Sequence, residues 1–207
     1  EVWHTTVKSV NYVLEKTKID KNKIILIGLT GQGDGCWLID KAGNPVCNAI
    51  LWTDGRASQI LSEWQNVDID KVIYSINGSV LFPGVQAAII KWLTLNRPEI
   101  IKAASKSLYC KDWINYKLTG VICTEETDAC IPFFDIRNRT YSNNIITILG
   151  LENYAHLLPP VRYTLENNNS LTKESANLLN LRSGIPVVAG PIDVIATAIG
   201  CGCFKKG

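Results

Sequence analysis

An aspartate, Asp193, ends the most suggestive segment of the sequence, Gly190-Pro-Ile-Asp193. The segment follows a strand-like apolar run, Pro186–Ala189, and precedes a helix-like run at 194–199. Because α/β proteins hold ligands at the carboxyl ends of their strands, Asp193 could take part in catalysis at such a site. The structural alternative is that its carboxylate caps the following helix, and position alone favours neither reading.

A glycine-rich segment, Thr30-Gly-Gln-Gly-Asp-Gly35, is the second candidate. It lacks the Lys-Ser/Thr of a phosphate-binding Walker A loop, and a strand-like run follows it where a dinucleotide-binding loop would need a helix. Its glycines would let a ligand approach the backbone, and Gln32 and Asp34 add an amide and a carboxylate. We therefore predict a ligand-binding role, with a tight glycine turn between two strands as the alternative.

The third candidate segment is Trp52-Thr-Asp-Gly-Arg56. An aromatic face with polar neighbours suits a polyol, so Trp52 and Asp54 are candidate substrate-binding residues. The alternative is a turn that carries a surface ion pair.

The elements that must position these segments alternate between strands and helices. Short apolar runs bounded by turn residues predict strands of one mixed sheet at 23–28, 36–40, 50–52 and 187–189, with a further short strand at 108–110. Amphipathic spacing predicts a helix over 2–17 and more helices from residue 57 onward, at 86–95, 98–105, 111–118, 143–149, 173–179 and 194–199. The expected fold class is α/β, with helices covering the sheet.

Bulk composition narrows the class of protein. The chain has 207 residues, of which 46% are hydrophobic and 19% charged, as in ordinary globular domains. A net charge of +2 does not indicate a nucleic-acid partner, and without a membrane-spanning apolar run we expect a cytoplasmic protein. Seven cysteines without a CxxC pair predict reduced thiols and no metal site. The absence of Met indicates a piece of a longer chain.

Six segments, taken in order, resemble motifs of the FGGY family of carbohydrate kinases. They are Gly28-Leu-Thr-Gly-Gln-Gly-Asp-Gly-Cys-Trp-Leu-Ile-Asp40, Asn48-Ala-Ile-Leu-Trp-Thr-Asp-Gly-Arg56, Tyr109-Cys-Lys-Asp-Trp-Ile-Asn-Tyr-Lys-Leu-Thr-Gly120, Thr124-Glu-Glu-Thr-Asp-Ala129, Phe134-Asp-Ile-Arg-Asn-Arg-Thr-Tyr-Ser142 and Pro186-Val-Val-Ala-Gly-Pro-Ile-Asp193. Each segment alone is a weak signal, but six in the right order are a strong one.

The resemblance implies an actin-like, ribonuclease-H-like ATPase fold, with residues 1–207 forming an N-terminal sugar-binding domain that is incomplete at both ends. The opening phosphate-loop strands and the C-terminal ATP-binding domain of the family would lie outside this chain. Family members transfer the ATP γ-phosphate to a sugar or polyol hydroxyl. ATP and Mg²⁺ would accordingly be held mainly outside these residues, so the chain alone should be inactive.

The resemblance also assigns roles. Asp193 corresponds to the general base of the family, although Gly190-Pro-Ile departs from the usual G-G-G that precedes it. Gly33 and Asp34 follow Gln32 at the two positions that contact substrate in the family, and they match neither xylulokinases nor glycerol kinases. The motifs are most similar to erythritol kinases and then to L-xylulose kinases, which implies a tetritol or ketopentose substrate. A homodimer is compatible with the resemblance, and a non-catalytic sugar-binding or regulatory module of the same fold is the rival reading.

Overall fold

The computed structural model describes residues 1–163 and 169–203 and contains, within them, ten α-helices and seven short strands. The helices are α1 (Val2–Thr17), α2 (Ser58–Asn66), α3 (Ile69–Asn77), α4 (Gln86–Asn96), α5 (Pro98–Ala103), α6 (Cys110–Thr119), α7 (Glu126–Ala129), α8 (Asn143–Ile148), α9 (Lys173–Leu179) and α10 (Asp193–Gly200). The strands are β1 (Ile27–Leu29), β2 (Trp37–Ile39), β3 (Lys106–Leu108), β4 (Phe134–Asp135), β5 (Thr140–Tyr141), β6 (Asn169–Ser170) and β7 (Pro186–Ala189). Two 3₁₀ turns lie at Lys21–Lys23 and Glu152–Leu157.

A three-stranded mixed sheet carries two of the candidate loops. Strand β1 pairs in parallel with β7, with Ile27 opposite Val187 and Leu29 opposite Ala189, and β6 pairs with β7 in the antiparallel sense. Because β1 and β7 are parallel and in register, their carboxyl ends meet at one edge of the sheet. The segments that follow them, 30–35 and 190–193, therefore start side by side.

The predicted single sheet is in fact divided. Strand β2 pairs with β3, antiparallel, and joins neither β1 nor β7 in the described residues. The predicted strand at 50–52 is reduced to one bridge, between Ile50 and Cys36, because the amide of Asp54 bonds to the carbonyl of Leu51 and turns the chain immediately. The α/β class and its mixed sheet are confirmed, but the prediction of one sheet through all four segments is wrong.

Strand β1 also begins later than expected. The segment predicted as strand from residue 23 first forms a 3₁₀ turn at Lys21–Lys23 and becomes strand only at Ile27. Ile25 and Leu26 precede β1 and are 73% and 53% exposed. The apolar run predicts a buried strand, but its first part lies on the surface.

The largest core lies among the helices and away from the mixed sheet. Helix α4 is buried over most of its circumference, and it packs against α2, which contributes Ile60 and Trp64. A second core lies between the mixed sheet and helices α1, α6 and α9, and its buried residues include Val187 of β7, Leu118 of α6 and Leu179 of α9. Helix α6 ends at Gly120, whose φ of 73° fits the predicted glycine stop.

Two further expectations concern the cysteines and a possible membrane-spanning helix. All seven cysteines lie within the described residues and carry free thiols. In the described parts of the chain, no helix is both long and apolar enough to cross a membrane.

Candidate functional site

Two loops meet at the carboxyl edge of the mixed sheet: the glycine loop, residues 30–35, and the aspartate loop, residues 190–193. The hydroxyl of Thr30 donates a hydrogen bond to the carbonyl of Pro191 at 2.9 Å. The amide of Asp193 donates to the carbonyl of Gly31, also at 2.9 Å. These bonds join the loops directly, so segments far apart in the sequence form one surface.

A cavity of about 290 Å³ opens between the two loops. Five of the six predicted site residues line it: Gln32, Gly33, Asp34, Trp52 and Asp193. Three apolar side chains complete the lining: Phe82, Ile192 and Val194. Small polar groups placed on largely apolar walls are typical of sites for small molecules. The structure thus brings the predicted residues together.

Asp34 lines this cavity and also has one buried carboxylate oxygen. Its Oδ1 atom is buried and has no hydrogen-bond partner among residues 1–163 and 169–203. Burial raises the pKa of Asp34 from its usual 3.8 to about 7. A buried polar atom without a partner costs free energy, and the same burial disfavours the ionised form of this carboxyl group.

The backbone of the glycine loop explains how Asp34 is held there. Asp34 has φ of 59° and Gly35 has φ of 75°, so the loop turns through two left-handed residues. A Cβ on Gly35 would lie 2.6 Å from the carbonyl oxygen of Ile50, which only glycine avoids. The loop therefore needs glycine at 35, as the turn interpretation predicted, and still presents a carboxylate to the cavity.

Asp193 is the first residue of α10 and is exposed. The N-cap position belongs to Ile192, which makes no side-chain cap. The Oδ1 atom of Asp193 accepts a hydrogen bond from the adjacent amide of Val194 at 2.8 Å, so the carboxylate serves the helix start in a local way. Asp193 is thus both at a helix terminus and at the cavity, and its role in catalysis remains a prediction.

Of the two candidate residues in the third segment, one lines the cavity and the other does not. Trp52 lines the cavity with 47% of its surface exposed. Asp54 is not among the lining residues; its carboxylate pairs with Arg56 at 2.8 Å, which holds the pKa of Asp54 below its usual value. The surface ion pair offered as the alternative is therefore what the structure shows for Asp54. Phe82, which sequence reasoning did not single out, supplies a second aromatic wall.

A buried cluster of charged side chains beneath the glycine loop also went unrecognised. The ammonium of Lys111 lies 2.5 Å from Asp128 Oδ2, 2.9 Å from Glu125 Oε1 and 3.8 Å from Asp112 Oδ1. All four side chains are at most 2% exposed. A Cβ added to Gly33 would lie 3.3 Å from Asp128 Oδ1, so the cluster directly underlies the cavity-lining loop.

Burial raises the pKa of Asp112 to about 6 and that of Asp128 well above its usual range. Burial alone would lower the pKa of Lys111, but the surrounding carboxylates outweigh it and raise that pKa. The sequence offered one signal of this cluster: the charged pair Lys111-Asp112 stands next to the apolar Trp113 and Ile114 in a predicted helix. These residues lie within one of the six family-like segments, but the sequence by itself predicts no role for them.

The described residues do not fit a resident metal ion. They contain no group of three His, Cys, Asp or Glu side chains that could hold one.

Comparison with known proteins gives the chain its family. The model described as "FGGY family of carbohydrate kinases, N-terminal domain" matches residues 1–200. The chain is 34% identical over 176 residues to an erythritol kinase from Brucella abortus, covering 85% of this chain and 34% of the relative. It is 30% identical over 203 residues to an L-xylulose/3-keto-L-gulonate kinase from Escherichia coli, covering 98% of this chain and 41% of the relative.

Solved structures agree on the fold. A xylulose kinase from Rhodospirillum rubrum superposes with a TM-score of 0.87 at 22% identity, over 99% of this chain and 43% of that one. A Plasmodium falciparum glycerol kinase with ADP superposes with a TM-score of 0.81 at 23% identity, over 97% of this chain and 41% of that one. These neighbours are sugar kinases with the actin-like ATPase fold, so the expected fold is confirmed.

The chain spans well under half the length of these relatives, between 34% and 43% in the comparisons above. The order of its motifs, the pairing of β1 with β7 and the family match all point the same way. The chain belongs to the FGGY family of carbohydrate kinases, as its N-terminal domain.

Proposed function

We propose that this chain supplies the substrate site and the catalytic base of an ATP-dependent kinase acting on a small, uncharged polyol or ketose. The supporting observation is the cavity in which Asp34 and Asp193, from opposite ends of the chain, line one space with Gln32. The family implies kinase chemistry, and the names of the relatives above imply a tetritol or ketopentose.

Asp193 acts as a general base in this proposal. It accepts the proton of the substrate hydroxyl while that oxygen forms a bond to the γ-phosphorus of ATP and the bond from phosphorus to the bridging oxygen breaks, so that ADP leaves. The family resemblance implies that ATP is held mainly by parts of the protein outside this chain. The contribution of this chain is to bind the sugar, orient one hydroxyl and remove one proton.

The lining of the cavity favours an uncharged substrate. Among the described lining residues are two carboxylates and one amide, and there is no Lys, Arg or His. Carboxylates accept hydrogen bonds from hydroxyls, whereas they repel the carboxylate of a sugar acid. Trp52 and Phe82 offer apolar surface to the C–H groups of the ligand. We therefore place a tetritol or ketopentose ahead of a gulonate-type substrate.

The experiment is a kinetic comparison in the full-length protein that carries this chain. Asp193→Asn should lower kcat by ~10²–10⁴ and leave KM for the sugar largely unchanged, since the amide can bind a hydroxyl but cannot take its proton. Asp70→Asn is the matched control, because Asp70 also lies in the first turn of a helix, α3, and does not line the cavity. An Asp193→Asn protein that turns over normally but melts early would refute the base assignment.

The substrate class is tested in the same protein. Tetritols, ketopentoses, glycerol and sugar acids are offered with ATP, and ADP formation is measured. We expect turnover with an uncharged tetritol or ketopentose. Binding of such a sugar without any ADP formation would support the rival function, a non-catalytic sugar-binding module.

A further inference from the structure

The aspartate loop is held from two sides. On one side the amide of Asp193 bonds to Gly31 of the glycine loop at 2.9 Å. On the other side the amide of Ile192 bonds to the hydroxyl oxygen of Thr127, in the single-turn helix α7, at 2.9 Å. Ile192 directly precedes the proposed base, so a shift of its backbone would move the Asp193 carboxylate as well.

The direction of the hydrogen bonds at Thr127 follows from its chemistry. The amide of Ile192 can only donate, so the Thr127 oxygen must accept. The single hydroxyl proton is then free to point elsewhere, and it is donated to Glu125 Oε1 at 2.5 Å. A hydroxyl that accepts from one side and donates to the other is fixed in its rotation, unlike one that contacts a single partner.

Glu125 is in turn held rigidly. Its side chain is 1% exposed, and its Oε1 atom accepts from the Lys111 ammonium and from the amide of Asp128, both at 2.9 Å. Its Oε2 atom accepts from the amide of Thr127, again at 2.9 Å. Lys111 is fixed from its other side by Asp128 Oδ2. A buried, multiply bonded charge pair has little freedom to rearrange without leaving a charge unpaired.

We infer that Thr127 is a positioning residue, through which the buried Lys111–Glu125 pair sets the position of the Asp193 carboxylate. The chain of contacts runs from the Lys111 ammonium to Glu125, from Glu125 to the Thr127 hydroxyl, and from that oxygen to the Ile192 amide. Ile192 also lies close to the backbone of Gly33, since a Cβ added to Gly33 would lie 3.1 Å from its Cγ2 atom. The inference rests on the proposed function, in which Asp193 is the base.

Three variants of the full-length protein test this inference. Thr127→Val keeps the shape of the side chain but removes the hydroxyl, Thr127→Ser keeps the hydroxyl, and Thr94→Val is the matched control. Thr94 is partly buried like Thr127, and its hydroxyl bonds to a carbonyl of its own helix, α4, away from the cavity. We expect Thr127→Val to lower kcat by ~10–100-fold with little change in KM, because small displacements of a catalytic group have effects of that size. Thr127→Ser should restore most of kcat, and Thr94→Val should leave it unchanged.

All rates are measured below the melting temperature of every variant, beside Asp193→Asn. If Asp193→Asn loses kcat while Thr127→Val retains it within about twofold, the positioning role fails and the base assignment stands. If Asp193→Asn retains kcat, the base assignment fails and the positioning role fails with it. Equal loss of kcat in Thr127→Val and Thr127→Ser would also overturn the inference, because the hydroxyl would then not be the group that matters.

Discussion

Asp34 should make the protein less stable as the pH rises, and replacing it should reveal by how much. Burial raises the pKa of Asp34 from 3.8 to about 7 in the folded protein. Between these two values the folded state holds the proton and the unfolded state does not, so the free energy of unfolding falls as pH increases. Below pH 3.8 the contribution is fully present, and above about pH 7 it is lost.

Asp34→Asn removes this titration while keeping the shape of the side chain. Asn adopts the left-handed backbone conformation readily, so the φ of 59° at this position should be preserved. The shift of about three pKa units corresponds to an upper limit of ~4 kcal/mol. Two of those units lie between pH 5 and pH 7, so the gain in stability of the variant should be ~2–3 kcal/mol larger at pH 8 than at pH 5.

The assay is urea denaturation at both pH values, followed by tryptophan fluorescence, with Asp54→Asn as the control. The hydrogen bonds from Arg56 lower the pKa of Asp54, so its stabilising contribution is present above 3.8 and is lost only as the pH falls through the lower folded value. Asp54→Asn should therefore lose a similar amount of stability at pH 5 and at pH 8. A gain for Asp34→Asn that is the same at both pH values, or a loss at pH 8, would refute the reasoning.

The other predictions concern the same loop. Asp34→Ala should raise KM for the sugar by about one to two decades, with kcat little changed, because a cavity-lining carboxyl group that can accept a substrate hydroxyl is lost. Steady-state kinetics of the full-length protein test this, and an unchanged KM would contradict it. Gly35→Ala should lower the free energy of unfolding by more than ~1–2 kcal/mol in urea denaturation, because φ is 75° and Ile50 O lies 2.6 Å from the added Cβ. Gly120→Ala, with φ of 73° and no atom within 4 Å, should cost less, and equal losses would rule out the steric part of the argument.

Much of the local structure was predictable because it depends on local patterns. The amphipathic spacing in α1 and the glycine that ends α6 identified both helices. Strand β7 and the start of α10 were also expected, which placed Asp193 between a strand and a helix. The glycine loop and its carboxylate were recognisable from residue types, since few sequences put three glycines around Gln32 and Asp34 without a structural need.

The pairing of strands was not predictable from those patterns. An apolar run indicates that a segment is buried but does not indicate which strand it pairs with. The sequence therefore predicts β2 in one sheet with β1 and β7, whereas β2 pairs with β3. The exposure of Ile25 was not predictable either, because an apolar residue next to a strand is buried only if another part of the chain covers it. Asp54 followed local chemistry, pairing with Arg56 two residues away rather than reaching the cavity.

The fold class, the family motifs and the three candidate segments could be read from the sequence, because each depends on residues near one another in the chain. The shared cavity of the loops after β1 and β7 could not, since it follows from the parallel, in-register pairing of strands far apart in the chain. Only the tertiary structure showed the cluster around Lys111 and its link through Thr127 to Ile192. Such ion pairs and hydrogen bonds form only when folding brings distant segments together and removes the water between them.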